Sequence, residues 1–196
     1  MPSTALSPRI NAAVTRIDVR RATVICFFAW TFAVYDFVLF ANLLPVIAQE
    51  LGWSGAQTTG VNTWVTLGTA IVAFAVGPFV DRIGRRAGIV VCVVGAAIAS
   101  LLTWLGGYAA GALGFAGLVL LVLIRALAGL GYSEQAVNAT YLNEMYAHVY
   151  TDERSIKRRG FIYSVVQGGW PIGSVMAGLS IYILQPVGGW ELCFII

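Results

Sequence analysis

Charged side chains are scarce in this chain: Asp, Glu, Lys and Arg make up 11% of its 196 residues, against about 25% in an average soluble domain. Twenty-one charges are too few to cover a water-facing surface of this length. The net charge of +3 is small and scattered, which excludes a nucleic-acid partner of the usual basic kind. Histidine occurs once, as His148, so no metal-spaced pair exists and a metal ligand set is not expected. Cys26, Cys92 and Cys193 stand alone in apolar surroundings without a C-x-x-C pair and read as small hydrophobes. Neither H-E-x-x-H nor G-x-S-x-G is present, so a membrane protease or lipase is not expected. Gly129-Leu-Gly131 lies inside an apolar run with no strand before it, so no dinucleotide is expected either. The reading is of a protein that is not an enzyme and carries no cofactor.

What is present is hydrophobicity: 59% of the residues are apolar and the mean hydropathy is +0.81. A bilayer core about 30 Å thick takes about 20 apolar residues of helix. Five such runs occur, Val24–Ile47, Thr59–Val80, Ala87–Gly106, Ala112–Val137 and Phe161–Leu184, and a sixth begins at Trp190. The sequence therefore predicts a short N-terminal segment, residues 1–23, followed by a transmembrane helical bundle over residues 24–196, cut off within its sixth span. Its solvent is the lipid bilayer.

Basic residues mark the cytoplasmic ends of membrane spans. Arg9, Arg16, Arg20 and Arg21 precede the first run; Arg82, Arg85 and Arg86 separate the second from the third; Arg154, Lys157, Arg158 and Arg159 separate the fourth from the fifth. The alternate connections, near 50–58, 107–111 and 185–189, carry none. This alternation predicts a cytoplasmic N-terminus, in a plasma or inner membrane.

The twelfth basic residue, Arg125, falls in the middle of the fourth span, as Asp36 does in the first. Each is roughly 17 Å or more from its helix ends, too far to snorkel fully. Opposite sign and similar depth predict that they face one internal region and pair. The pair serves either proton coupling or the fixing of helix packing, and intramembrane charges favour the first. Glu134 lies nine residues after Arg125, about 13 Å nearer the cytoplasm and on the opposite helix face. It is a further proton-coupling candidate, or a carboxylate reaching interfacial water. Tyr35, Asn42, Asn62, Gln167 and Trp170 interrupt otherwise apolar spans and together predict a polar substrate cavity, since such groups must face protein or water. Pro171 frees a backbone carbonyl and marks a candidate interruption of the fifth span. Gly169, Gly173 and Ala177 form a small-residue stripe suited to close helix packing.

The loop after the second span reads Gly77-Pro-Phe-Val-Asp81-Arg82-Ile-Gly84-Arg85-Arg86. It resembles, at every defining position, the G-x-x-x-D-R-x-G-R-R motif of the major facilitator superfamily. Leu121, Arg125, Gly129 and Gly131 resemble that family's fourth-span motif, and Glu144 with Arg159-Gly160 its loop between spans four and five. Gly189-Trp190-Glu-Leu-Cys-Phe194 is similar to the opening of the family's sixth span, with Glu191 where the family has Arg. The resemblance implies the N-terminal six-helix half of a twelve-helix all-α fold, with a missing C-terminal half. It also implies alternating access and a cytoplasmic gating cluster of Gly77, Asp81, Arg82, Gly84, Arg85, Arg86, Glu144 and Arg159.

Tyr35-Asp36-Phe and Gln167-Gly-Gly-Trp-Pro-Ile-Gly173 look most like the proton symporters of organic acids, with sugar porters second. The expected function is secondary active transport of a small organic anion with protons. The alternatives are a sugar or other metabolite transporter, a non-transporting membrane scaffold or sensor, and an inactive truncated product.

Overall fold

A computed structural model describes residues 14–195; Arg9 and Ile196 lie outside the described residues, as does the side chain of Arg154. Six helices follow one another, α1 Arg16–Glu50, α2 Gly55–Ile83, α3 Arg85–Leu113, α4 Phe115–Val149, α5 Glu153–Gln167 and α6 Gly169–Ile195. No strand occurs among the described residues. The first four helices, and the run Ser155–Ile195 through α5 and α6, are each long and apolar enough to cross a membrane.

The helix starts are encoded locally. Thr15 caps α1 and Ser54 caps α2, each in a reciprocal box with the residue three positions on, Asp18 and Gln57. The Thr15 hydroxyl and amide beside Asp18 hold its carboxyl below the usual carboxylate range. Asp152 caps α5 by accepting from the Ser155 amide at 3.0 Å. Single glycines make the two tightest connections: Gly84, at φ +90°, joins α2 to α3, and Gly114, at φ +55°, joins α3 to α4. Both lie where a side chain at Cβ would be strained.

Several boundaries differ from those read in the sequence. The connection expected at 107–111 lies instead at Gly114, because α3 runs on to Leu113. Gly107 is small for packing, its missing side chain making room for the Trp190 ring. Most of the stretch between the fourth and fifth apolar runs is helical, since α4 continues to Val149 with His148 in its last turn, and only residues 150–152 connect it to α5. The fifth span is broken at Gly168, between α5 and α6, so Pro171 falls in the first turn of α6, where a missing N–H costs no helical bond. The connection expected at 185–189 is a kink at Gly188 and Gly189, after which Trp190 starts the next helical stretch.

Helix α4 packs most extensively on α3 and α2, and α1 on α6 and α4. The α1–α6 seam is the small stripe: Gly169, Gly173 and Ala177 are buried, and a Cβ on Gly173 would strike the Thr31 carbonyl oxygen. Two apolar clusters close the ends of the bundle. One gathers Val19, Val80, Ile89, Leu142 and Tyr146 at the end that carries the basic connections; the other gathers Leu43, Ile47, Val61, Trp190 and Phe194 at the opposite end. At that second end the Trp190 Nε1 donates to Glu50 Oε2 at 3.0 Å.

Candidate functional site

Between the two clusters α1, α3 and α4 bring four polar side chains together. Arg125 Nη1 donates to Asp36 Oδ1 at 3.1 Å and Nη2 to Asp36 Oδ2 at 3.0 Å, a bidentate pair. Arg125 is 4% exposed and the Asp36 side chain 13%. From α3, one turn apart, Ser100 Oγ donates to Asp36 Oδ1 at 2.5 Å, and Thr103 Oγ1 accepts from Arg125 Nη1 at 3.3 Å. The Phe40 ring lies 4.3 Å from the guanidinium carbon, a cation–π contact. Arg125 Nε has no hydrogen-bond partner among the described residues.

Asp36 borders two cavities, separated in part by Ala33 and Ala128. One, of about 290 Å³, lies between α1, α3, α4 and α6 and is lined in part by Tyr35, Ser100 and Phe194. The other, of about 300 Å³, lies between α1, α2 and α4, where Arg125, Asn62, Thr66, Phe37, Phe40 and Tyr132 face it. The second combines a fixed cation, an amide and three aromatic rings, which is what a planar carboxylate needs for orientation and for burial.

The structure joins some of the residues singled out in the sequence and separates others. Tyr35 and Asn62 border the Asp36 cavities. Asn42 borders neither; its Nδ2 donates to the Val38 carbonyl at 2.8 Å on an exposed face of α1. Gln167, at the break in the fifth span, accepts from Gln135 Nε2 at 3.0 Å and donates to Tyr163 Oη at 2.6 Å. Trp170 lies against Trp30, ring centroids 5.8 Å apart and planes tilted by 40°. Glu134 is fully buried with neither carboxyl oxygen hydrogen-bonded. It is therefore no interfacial carboxylate reaching water.

At the basic end Arg85 bridges two acids. Its Nε donates to Glu144 Oε1 at 2.8 Å, and its Nη1 lies 3.9 Å from Asp81 Oδ1. Asp81 sits in the last turn of α2, Arg82 and Arg86 are exposed, and Gly84 forms the turn. Arg159 stands apart from that bridge, donating to the Tyr150 carbonyl at the end of α4. Gly77 faces open space, since a Cβ there would meet nothing within 4 Å.

Ser100, Thr103, Phe40, Gln135 and Tyr163 were not singled out in the sequence. For Ser100 and Thr103 the available signal was their spacing, two hydroxyls on one face of an otherwise apolar span. For the others there was none beyond proximity to a polar neighbour.

The family model described as Major Facilitator Superfamily matches residues 13–196. A probable 4-methylmuconolactone transporter of Cupriavidus pinatubonensis is 28% identical over 171 residues, covering 86% of this chain and 37% of that protein. A gallate transporter of Pseudomonas putida is 27% identical over 169 residues, covering 86% and 34%, and a benzoate transport protein of Acinetobacter baylyi is 25% identical over 167 residues, covering 83% and 32%. The chain thus spans about a third of the length of these curated relatives. No solved structure matches.

Proposed function

Because the chain belongs to the major facilitator superfamily, we propose that it forms one half of a secondary transporter that moves a small organic acid together with protons by alternating access. The chain is an integral membrane protein with membrane-length helices. In this reading its N-terminus is cytoplasmic in the plasma membrane, and a second six-helix unit faces the Asp36 cavities from the other side.

The observation that carries the reading is the bidentate Asp36–Arg125 pair at the edge of a cavity with aromatic walls. Asp36 holds the two guanidinium nitrogens that an incoming carboxylate would use. When Asp36 takes a proton it gives up its claim on Arg125, and the substrate carboxylate can replace it with the same fork geometry. Proton and anion then bind together, which is linkage between two sites through one cation. Phe37, Phe40 and Tyr132 offer faces for a planar ring, and Asn62 a hydrogen bond to a ring substituent. The names of the relatives, gallate and benzoate among them, support an aromatic acid as the substrate class. Arg85, clasped between Asp81 and Glu144, serves as the cytoplasmic latch, with Gly77 left clear for the second unit.

The test is uptake of labelled benzoate and gallate by cells expressing the chain in its full genetic context, with and without an imposed proton gradient. Saturable, gradient-driven uptake that Asp36→Asn uncouples from the gradient is expected. Uptake that ignores the gradient in the unaltered protein overturns the coupling. Absence of any benzoate or gallate competition overturns the substrate class.

A further inference from the structure

The cavity between α1, α2 and α4 is a slot with two unlike ends. On α4 it is lined by Arg125, Ala128, Gly129 and Tyr132, a spacing that keeps all four on one helix face over two turns. Arg125 and Tyr132 therefore stand about 10 Å apart along the axis, with one methyl group and one hydrogen between them. Gly129 has to stay bare, because a Cβ there would come within 2.7 Å of the Thr69 side chain and 3.0 Å of its Cα. The facing walls add little bulk, with Ala33 on α1 and Ala73 on α2. A slot of about 300 Å³ with such walls suits a flat single ring.

The aromatic side chains stand along the slot in order. Phe40 lies over the guanidinium itself, 4.3 Å from its carbon. Helix α1 runs antiparallel to α4, with Ala33 against Gly131 and the Cys26 carbonyl against Asn138, so Phe37 lies nearer to Tyr132 than Phe40 does. Phe37 and Tyr132 meet with ring centroids 5.3 Å apart and planes tilted by 39°. Trp30 backs Tyr132 at 6.1 Å. Trp30 is 1% exposed and Tyr132 40%, so the first is a support and the second is the surface a ligand meets. Both contacts of Tyr132 are ring against ring, and they use none of the donor and acceptor capacity of its hydroxyl.

Helix α2 runs parallel to α4, with Gly68 against Ala126 and Thr69 against Gly129. Asn62 therefore lies beyond Arg125, on the side away from Tyr132. An acid with its carboxylate on Arg125 and its ring along Phe37 has its far edge toward Tyr132. Asn62 then serves a substituent next to the carboxyl, and Tyr132 one remote from it.

Resting on the organic-acid reading above, we propose that Tyr132 is the specificity-determining residue of this cavity: its hydroxyl pairs with a hydroxyl at the far edge of the bound ring. The substrate class is then a single-ring aromatic acid hydroxylated away from its carboxyl. Arg125 holds any carboxylate by the same fork and does not tell one aromatic acid from another. Tyr132 does, because an acid without the ring hydroxyl leaves the phenol to water. One neutral hydrogen bond at a half-exposed position changes binding by about tenfold or less. Discrimination of that size ranks related acids without excluding the weaker ones.

The test is ligand-induced thermal shift of the protein expressed in its full genetic context and purified in detergent, titrated with benzoate and with its 2-, 3- and 4-hydroxy derivatives. The 3- or the 4-hydroxy acid is expected to bind more tightly than benzoate, by up to about tenfold. Tyr132→Phe keeps the ring contacts with Phe37 and Trp30 and removes only the hydroxyl. It should take that ratio to about one and leave the ratio of 2-hydroxybenzoate to benzoate where it was. A Tyr132→Phe protein that keeps the preference overturns the proposal, and so does an unaltered protein that binds the four acids alike; both leave the Arg125 site standing. Weakening of all four acids by one factor in Tyr132→Phe gives the residue a structural part and overturns the proposal as well. Binding of none of the four overturns the aromatic-acid reading, and this proposal with it.

Discussion

Ser100 Oγ donates to Asp36 Oδ1 at 2.5 Å, on the same carboxylate oxygen that Arg125 Nη1 holds at 3.1 Å. One hydroxyl on α3 thus shares the charge that joins α1 to α4. Ser100→Ala leaves the guanidinium fork in place and removes a hydrogen bond to an ionised group, worth about 1.5–3 kcal/mol. A lowered thermal midpoint in detergent, with the dependence on a proton gradient retained, is the expected outcome; loss of gradient dependence would give Ser100 a direct part in coupling.

Breaking the pair from its two sides is expected to be unequal. Arg125→Ala strands a buried carboxylate, and removing one partner of a buried pair costs about 3–5 kcal/mol. Asp36→Asn leaves an amide oxygen for the guanidinium and keeps the Ser100 hydrogen bond, so it is the milder change. Thermal unfolding of the two single variants and of the double Asp36→Asn, Arg125→Gln variant checks this. The double variant should be more stable than Arg125→Ala alone, and a double variant as unstable as Arg125→Ala would count against the pair as the cause.

Gly173 and Gly77 should respond oppositely to a methyl group. A Cβ on Gly173 runs into the α1 backbone at Thr31 and lies 3.0 Å from the Tyr35 amide nitrogen, whereas one on Gly77 meets nothing within 4 Å. Gly173→Ala is expected to cost about 1–3 kcal/mol by overpacking, read as a fall in thermal midpoint. Gly77→Ala should leave the midpoint unchanged or raise it, since Ala is the better helix former. A fall in uptake without a fall in stability would mark Gly77 as a surface that another unit covers.

Topology is open to cysteine-accessibility labelling in a background lacking Cys26, Cys92 and Cys193. Cysteines at Trp53 and Phe115 should react from outside intact cells, and those at Arg86 and Lys157 only after permeabilisation. The reverse pattern would invert the bundle.

Hydropathy located the spans because a run of about 20 apolar residues has few other uses, and the Asp36–Arg125 contact followed from depth and sign. Boundaries were harder where small residues serve two purposes. Gly106 and Gly107 look like a turn, yet they pack against Leu121 and Trp190, and the turn is at Gly114. The spacing of Ser100 and Thr103 was only a weak sign of a site, because a hydroxyl in a membrane helix can satisfy itself on its own backbone, as Thr103 does with the Ala99 carbonyl at 3.0 Å. Gln167 and Trp170 gave no sign of their partners, since hydropathy assigns depth but not azimuth. Glu134 showed its charge in the sequence and not its isolation, which depends on four helices meeting.

The break at Gly168 divides one span into parts with different attachments. Beyond it, Gly169, Gly173 and Ala177 bolt α6 to α1; before it, α5 has fewer contacts and carries Lys157, Arg158 and Arg159 near its Asp152-capped end, where Arg159 holds the Tyr150 carbonyl. The fifteen residues of α5 make a lever about 22 Å long. A swing of about 20° at Gly168, a bend of the size that marks a kink, would carry its tip through about 8 Å while leaving the fulcrum still. A small rotation beside the buried acids would thereby be geared up into a large excursion at the membrane surface, with the three-residue link to α4 as the part that must give.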